Sequence, residues 1–569
     1  ILDSDPNKFV LGFKSPNIRI QSYFAKRLEV KLDNNNPIYN SFIEVDSLST
    51  PYFNASDLSA IHVNLNDTLY IKTQFKSGKQ KENNFDFNLF YTKSDKNYIF
   101  GLRPSDINFK NTAWRLNANP KNISKFEFNP KSKAFTLDPI RISYNDEKII
   151  FRANAKDSLS TTIDLQFDQV DLAKVTPEID SLNLGGIING ELNILKFEDT
   201  YFPKSLLDVN NFTVNGFNLG AFNADITGNS SLSSYDIYVK IQDDLKKSFS
   251  ANGKLDISEN KPKLNLNLSF KDFILNPLNP FGGGVITNIR GMVSGDAYVN
   301  GYINKPQING LLVLDNGGIS VPYLGIDYEF NQNTKVSLQG QSFEFDSAKF
   351  IDSDFSSNAE LTAKLSHINF TNWSLDALIK SHRLLVLNTK ETEESLYYGT
   401  GFVAGDINIS GPMNQLFVDA NVSTSKGTIF KIPLNDSEVV TENSFIKFVS
   451  SKDKQKKNKS ESIVLDDIKG LEMEFNMDVT DDAEIEIVID RDTGSSILGR
   501  GNGSILAQIN TSDKFQIFGD FLVLSGYYNY SLGKIINKKF KLVKDGSLLW
   551  NGDPLKAEIN IQAVYDGIN

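Results

Sequence analysis

Apolar and polar residues alternate along this chain in short runs. The cleanest is 263–270, where Leu264, Leu266, Leu268 and Phe270 alternate with Lys263, Asn265, Asn267 and Ser269. In an extended chain that spacing sends one set to one face and the other set to the opposite face. The same rhythm sets Phe85, Phe87, Leu89 and Tyr91 at two-residue intervals, and pairs Phe126 with Phe128, Phe135 with Leu137 and Ile140 with Ile142. It returns in Met473, Phe475 and Met477 set against Glu472, Glu474 and Asn476, and in Ile485, Ile487 and Ile489. Near the end, Ala557, Ile559, Ile561, Ala563 and Tyr565 share a face if 555–565 is one strand. Asn, Asp, Lys, Gly or Pro bounds each run, which is the punctuation of strands and turns. Helical periodicity is nearly missing. The best place for a helical turn is 168–180, ended near Pro177, and 375–387 reads as helix or strand with equal ease.

A chain of short two-faced strands without crossover helices excludes parallel βαβ architectures. Three all-β arrangements remain: several packed sandwiches, a transmembrane barrel, or one long sheet curled on itself. Separate sandwiches call for linkers of shifted composition, and only 449–463 has one. A transmembrane barrel carries aromatic girdles at both ends of its strands, whereas Phe and Tyr are scattered here. The expected fold is therefore all-β, a long twisted and curled sheet with a continuous apolar interior and few or no helices.

Glycines give the chain a longer period. Gly291, Gly295, Gly301 and Gly317 fall on Gly401, Gly405, Gly411 and Gly427 after a shift of 110 residues. A shift of 105 the other way brings Gly186 and Gly190 onto Gly291 and Gly295, and Leu219–Gly220 onto Leu324–Gly325. Common solenoid repeats run at roughly 20–50 residues, so each unit here holds several strands. On this basis the chain divides into a weakly marked part at 1–180, glycine-punctuated repeats at 181–448, a Lys-rich loop at 449–463 and a terminal part at 464–569.

Composition narrows the chemistry. The 569 residues include no cysteine, which removes disulfides and thiolate metal sites, and a formal charge of −11 gives no footprint for nucleic acid. The basic run at 452–459 has no interleaved aromatics and reads as an exposed, disordered loop or a contact with an anionic surface. No stretch reaches the roughly 20 apolar residues of a spanning helix. The chain opens at Ile1 in mid-pattern and reads as a fragment. His62, His367 and His382 have no second histidine at metal-ligand spacing. The acid pairs Glu198–Asp199 and Asp481–Asp482 sit in turn-like sequence, and Gly282–Gly284 lacks the Lys and Ser/Thr of a phosphate loop. No enzymatic activity, metal or cofactor is expected.

A curled sheet leaves its dry faces either packed on one another, as in a sandwich, or open as a trough. From periodicity alone both stand. An open trough is a ligand site, since acyl chains gain about 0.8 kcal/mol per buried CH₂. Chemically similar rungs along it would let a lipid slide.

The terminal stretch adds a resemblance. It reads Arg500-Gly-Asn-Gly503, Gly519-Asp-Phe521, Gly526-Tyr-Tyr-Asn-Tyr530 and Gly546-Ser-Leu-Leu-Trp550-Asn-Gly552-Asp-Pro554, followed by Ala563-Val-Tyr565. With Gly399-x-Gly401-x-x-x-Gly405-Asp-Ile-x-Ile-x-Gly411, it resembles the C-terminal part of the TamB family from about 180 onward, in a Bacteroidota-like version. The resemblance implies an AsmA-like, bridge-like lipid carrier with a β-taco fold in the periplasm of a Gram-negative bacterium. Such a protein bridges the inner membrane, through an N-terminal anchor absent from this chain, and an outer-membrane barrel of the Omp85 family. It implies a conduit moving phospholipids between the membranes, or alternatively a scaffold for assembly or secretion of outer-membrane barrels. Bound phospholipid or detergent is then expected. The groove-lining candidates are Leu264, Leu266, Leu268, Phe270, Met473, Phe475, Met477, Ile485, Ile487, Ile489, Ile559 and Ile561. Ala557, Ala563 and Tyr565 are candidates for strand addition to the barrel partner.

Overall fold

In the computed structural model the alternating runs are β-strands, joined to their neighbours by tight turns and paired antiparallel almost throughout. The structure describes residues 2–433 and 471–565, less short runs such as 177–181, 393–396, 511–514 and 533–535. The Lys-rich loop expected at 449–463 lies outside the described residues. Apart from one four-residue helix, Leu172–Val175, and brief 3-10 turns, the regular elements described are strands. That helix falls where the sequence placed its helical turn, capped by the Asp171 carboxylate, which accepts from the Ala173 N–H. The ambiguous run 375–387 is strand, the middle of the 19-residue Thr371–Thr389. Among the described residues two pairings are parallel, Leu416–Thr424 with Leu471–Val479 and Ile429–Pro433 with Glu484–Asp490. The fold is an all-β curled sheet.

Bulges and glycines bend it. A bulge adds a residue to one strand and sharpens the local twist, and bulges interrupt the registers between Phe167 and Val170, Val209 and Phe212, and Ser381 and Leu384. The repeat read from the sequence is a repeat of backbone shape. Gly190, Gly295 and Gly405 have φ of +122°, +139° and +137°. At each, an added Cβ would stand 2.1, 2.4 or 2.3 Å from a carbonyl oxygen of the facing strand (Leu206, Leu311 and Asn421). Only glycine accepts both the dihedral and the approach. Asn211 and Asn316, 105 residues apart, both have φ of 51° at matching bulges.

The chain forms two compact units, Ile1–Leu266 and Asn267–Asn569, and the division falls inside the strand Lys263–Ile274. In the first unit, registers carry one apolar face from strand to strand. Phe75 lies opposite Phe85, Leu89 opposite both Ile71 and Leu102, and Phe100 opposite Tyr91 and Phe126. The series continues through Leu137–Ala153, Ile163–Ile194, Ala224–Val239 and Ile241–Phe249. Residues directly opposite one another share a face, so these side chains form one surface. The other face is wet, with exposed ion pairs such as Lys72–Asp86 and Lys148–Asp168. Pairs of that kind keep the face solvated and add little stability.

In the second unit the apolar side chains pack into clusters. Val293, Leu312, Leu314, Val336 and Leu338 form one, and Val403, Ala420 and Val422 another. The largest among the described residues gathers Ile485, Ile487, Ile505, Ile517, Phe521, Val523, Leu548 and Trp550. Several polar groups of this unit are paired, although the buried Thr389 hydroxyl has no hydrogen-bond partner among the described residues. Arg290 holds Asp327 with two bonds of 2.9 and 2.6 Å. Burial alone would raise the Asp327 carboxyl, but Arg290, Ser320 and Ser353 outweigh it and hold it below its usual range. Asp352, fully buried, accepts from the N–H groups of Phe355 and Ser357, each at 2.6 Å, which closes the turn between two strands.

Candidate functional site

The candidate site is the inner apolar face, and it differs in character along the chain. In the first unit its side chains are mostly half-buried rather than sealed. An aromatic strip crosses it. Phe75 stacks on Phe85 at 4.7 Å between ring centres, Tyr91 meets Phe100 at 4.9 Å, Phe100 meets Phe126 at 6.2 Å, and Phe126 meets Phe135 at 5.1 Å. Phe100, in the middle, is 48% exposed although it belongs to the inner face. Elsewhere on the same face Trp114 and Leu116 are sealed, at 3% and 4% exposure, so the face is open only in places. The rings of the strip shield one another sideways and leave their outward surfaces open.

His62 stands on this face, opposite Ser41 and Ile71. Its Nδ1 lies 2.8 Å from the Ser41 hydroxyl, and burial lowers its pKa. His367, in the second unit, is buried among Phe343, Phe370 and Trp373 and accepts from the Phe370 N–H through Nδ1; burial lowers its pKa too. Both histidines serve packing.

The sequence-derived candidates fall into three groups. Leu264, Leu266, Leu268 and Phe270 are half-buried between exposed Asn265, Asn267 and Ser269, and Leu268 and Phe270 pack against the Val293–Leu338 cluster. Met473, Phe475 and Met477 pair with Val418, Ala420 and Val422 on the inner face; Met473 is buried, while Phe475 and Met477 are partly covered. Ile485 and Ile487 are sealed in the largest cluster, Ile487 at 3% exposure, and Ile489 is partly exposed beside a bulge. These side chains share a face as the alternation required, but around Ile487 that face is filled by protein.

The glycine-and-tryptophan motif explains the filling. Gly546, Leu548, Trp550 and Gly552 point inward, opposite Val523, Phe521, Gly519 and Ile517. Large side chains thus lie against glycines: Trp550 on Gly519, and Phe521 on Gly503. The Trp550 indole N–H donates to the Pro554 carbonyl at 3.3 Å, which is why the proline follows at that distance.

The final run is not one continuous strand. It consists of Glu558–Asn560, paired with Gly546–Gly552, and Ala563–Tyr565, paired with Ile536–Leu542, with a break at Ile561–Gln562. Registers nevertheless keep Ile559 opposite Leu548, Ala563 opposite Leu542 and Tyr565 opposite Phe540, all on the inner face. Ala557 and Ile561 pack on the large cluster, whereas Ile559 and Tyr565 are 46% and 51% exposed. The outer edge of these two short strands pairs with no strand among the described residues. The open aromatic strip of the first unit was not singled out from sequence. Its signal was present in the strict alternation of 85–91 and 126–128, which told of strands but not of which faces stay uncovered.

Residues 349–567 match the TamB C-terminal domain family. The match covers 219 of the 569 residues, and it is this stretch that is similar to the TamB C-terminal domain. Neither the curated proteins nor the solved structures contain a match to the chain. The matched stretch begins within the strand Ser342–Asp352 and takes in the glycine-and-tryptophan motif and the open terminal edge. Among the described residues no helix is long and apolar enough to cross a membrane.

Proposed function

We propose that this protein is a non-enzymatic phospholipid carrier of the Gram-negative periplasm, binding acyl chains along the inner face of its first unit. The observation that carries the reading is the aromatic strip from Phe75 to Phe135, whose rings are partly buried and whose middle member, Phe100, is 48% exposed. Contiguous apolar surface left open to solvent is what marks a binding site. Sixteen methylenes laid on it would gain on the order of 10 kcal/mol. The TamB C-terminal domain supports a role in lipid transport or in a translocation and assembly module in general. In this reading the terminal edge at Ala557, Ala563 and Tyr565 meets an outer-membrane barrel of the Omp85 type by strand addition.

The packed cluster around Ile487 and Phe521 favours a second reading for the terminal part, a scaffold whose free edge receives strands of other proteins. The test is native mass spectrometry for copurified phospholipid, combined with photocrosslinkers at Phe100, Phe126 and Leu266 and a control at the solvent-facing Asn265. Acyl adducts at the first three positions and not at Asn265 are expected. Equal labelling at all four positions would leave the scaffold reading in its place.

A further inference from the structure

The two ends of the strands in the second unit differ in chemistry. Four hairpins turn side by side at one end. Tyr302 pairs with Lys305 across the first turn, Gln339 with Ser342 across the second, Ile368 with Thr371 across the third and Ser410 with Phe417 across the fourth. Gly340 lies opposite Ile308, the His367 N–H donates to the Gln341 carbonyl at 3.0 Å, and the Met413 N–H donates to the Trp373 carbonyl at 2.9 Å. Each tip therefore adjoins the next. Charged residues make up 23% of the chain, yet the stretches 301–307, 339–343, 366–374 and 409–418 hold one, Lys305. The opposite ends of the same strands carry Asp352, Asp354, Lys390, Glu391 and Lys426.

In place of charge, three of the four tips present apolar side chains to solvent. Ile303, Ile368, Phe370 and Met413 are exposed, Ile368 at 60%. One tip is also strained. Asn369 and Phe370 form a two-residue turn with φ of 53° and 61°. Such a turn favours asparagine first and glycine second, because a bulky residue with positive φ is crowded by its own backbone. Phe370 holds the glycine position. Its ring stacks on His367 at 4.5 Å but remains 51% exposed. Glycine would serve the turn better, so the ring points to a contact outside the chain.

Two amphipathic rings stand behind the tips. Tyr302 is the exposed last residue of its strand, and Trp373 is half-buried, its indole N–H donating to the Phe370 carbonyl at 3.0 Å. Apolar tips without acids, backed by Tyr and Trp, follow the order of groups across a membrane–water interface. The tips also stand apart, each two strands or about 10 Å from the next. A protein partner would need a separate socket for each, whereas lipid flows around them all. We propose that this rim docks on the surface of a lipid bilayer, with Ile303, Ile368, Phe370 and Met413 immersed and Tyr302 and Trp373 at headgroup level. The site is separate from the inner face and does not depend on what that face carries.

The test mixes the whole chain with vesicles of brominated phosphatidylcholine and reads tryptophan fluorescence. Of the three tryptophans, Trp114 and Trp550 are buried, so quenching reports Trp373. Quenching should appear in low and high salt alike, since the tips attach without charge pairing, and Trp373→Phe should remove it. Phe370→Gly should bind the vesicles about tenfold more weakly, and Ile303→Asn/Phe370→Gly about a hundredfold. The urea midpoint of Phe370→Gly should not fall, because Asn-Gly suits the turn. The control Phe355→Ser, an exposed ring at the opposite strand ends, should bind as the unsubstituted protein does. Absent quenching, quenching that survives Trp373→Phe or the double variant, or binding that vanishes in high salt overturns the proposal. A dimer in analytical ultracentrifugation that the double variant dissolves, with Trp373 unquenched by vesicles, would give the rim to a second copy and overturn it as well.

Discussion

Replacing Phe100 by Asp separates an open groove from a packed core. Phe100 is 48% exposed on the inner face, so only about half of the 1.5–3 kcal/mol of a fully buried Phe is at stake, or about 1 kcal/mol. The new carboxylate stays hydrated and adds little to that cost. Phe521, with 0% exposure in the large cluster, is the contrast. Its removal alone costs about 3–5 kcal/mol, and an unpaired buried charge adds several more. Urea unfolding should therefore show Phe100→Asp close to the unsubstituted protein and Phe521→Asp with its unit unfolded. For lipid the order reverses. Loss of the ring at 100 strips contact from about three methylenes, about 2.4 kcal/mol or nearly two orders of magnitude in affinity. Acyl crosslinking at the neighbouring Phe126 should fall accordingly. If Phe100→Asp instead loses as much stability as Phe521→Asp, the inner face of the first unit is a packed core and the carrier reading fails. If it folds and captures lipid undiminished, the face is open but unused.

Further expectations follow from particular contacts. Gly405→Ala should destabilise by on the order of 3 kcal/mol, through its φ of +137° and a facing carbonyl 2.3 Å from the new Cβ. Gly12→Ala, with no atom within 4 Å, should be nearly neutral; thermal melts of both check this. Trp550→Ala should cost about 3–5 kcal/mol, read by urea denaturation. His367 has a lowered pKa because burial disfavours its cation. Its contribution is whole above the ordinary value near 6.5 and declines as pH falls below it, so the urea midpoint should fall less between pH 7 and 5 in His367→Phe. Asp327 is held low in the folded state. Its contribution is present above the usual carboxylate range and is lost as pH falls through its depressed pKa, a loss that Asp327→Asn should abolish in acid titrations.

Strand positions, the all-β class and the face each side chain takes were legible because alternation has a period of two and admits few alternatives. The repeat was legible because a positive φ beside a facing carbonyl leaves glycine as the residue that fits, as at Gly190, Gly295 and Gly405. Which faces remain open was not legible. Ile487 and Phe126 obey the same alternation, yet Ile487 is sealed in a cluster with Trp550 and Phe521 from distant strands, while Phe126, beside Phe100 and Phe135, stays partly exposed. Coverage depends on curvature, and curvature on bulges such as those at Asn211 and Asn316, where single residues adopt a left-handed backbone without a strong local signature. The break at Ile561–Gln562 was hidden for a related reason: the two short pieces preserve the facing of a single strand while docking on different partners.

The opposed pairing of inner-face residues also limits how such a chain can change in length. Removing one residue within a strand such as Ser160–Asp171 would turn every later side chain of that strand toward water and its wet neighbours inward. Removing a whole hairpin, or a whole glycine-marked repeat, would leave both sides as they were. Homologues of different length should therefore differ by complete hairpins, and tolerated insertions should gather in the turns.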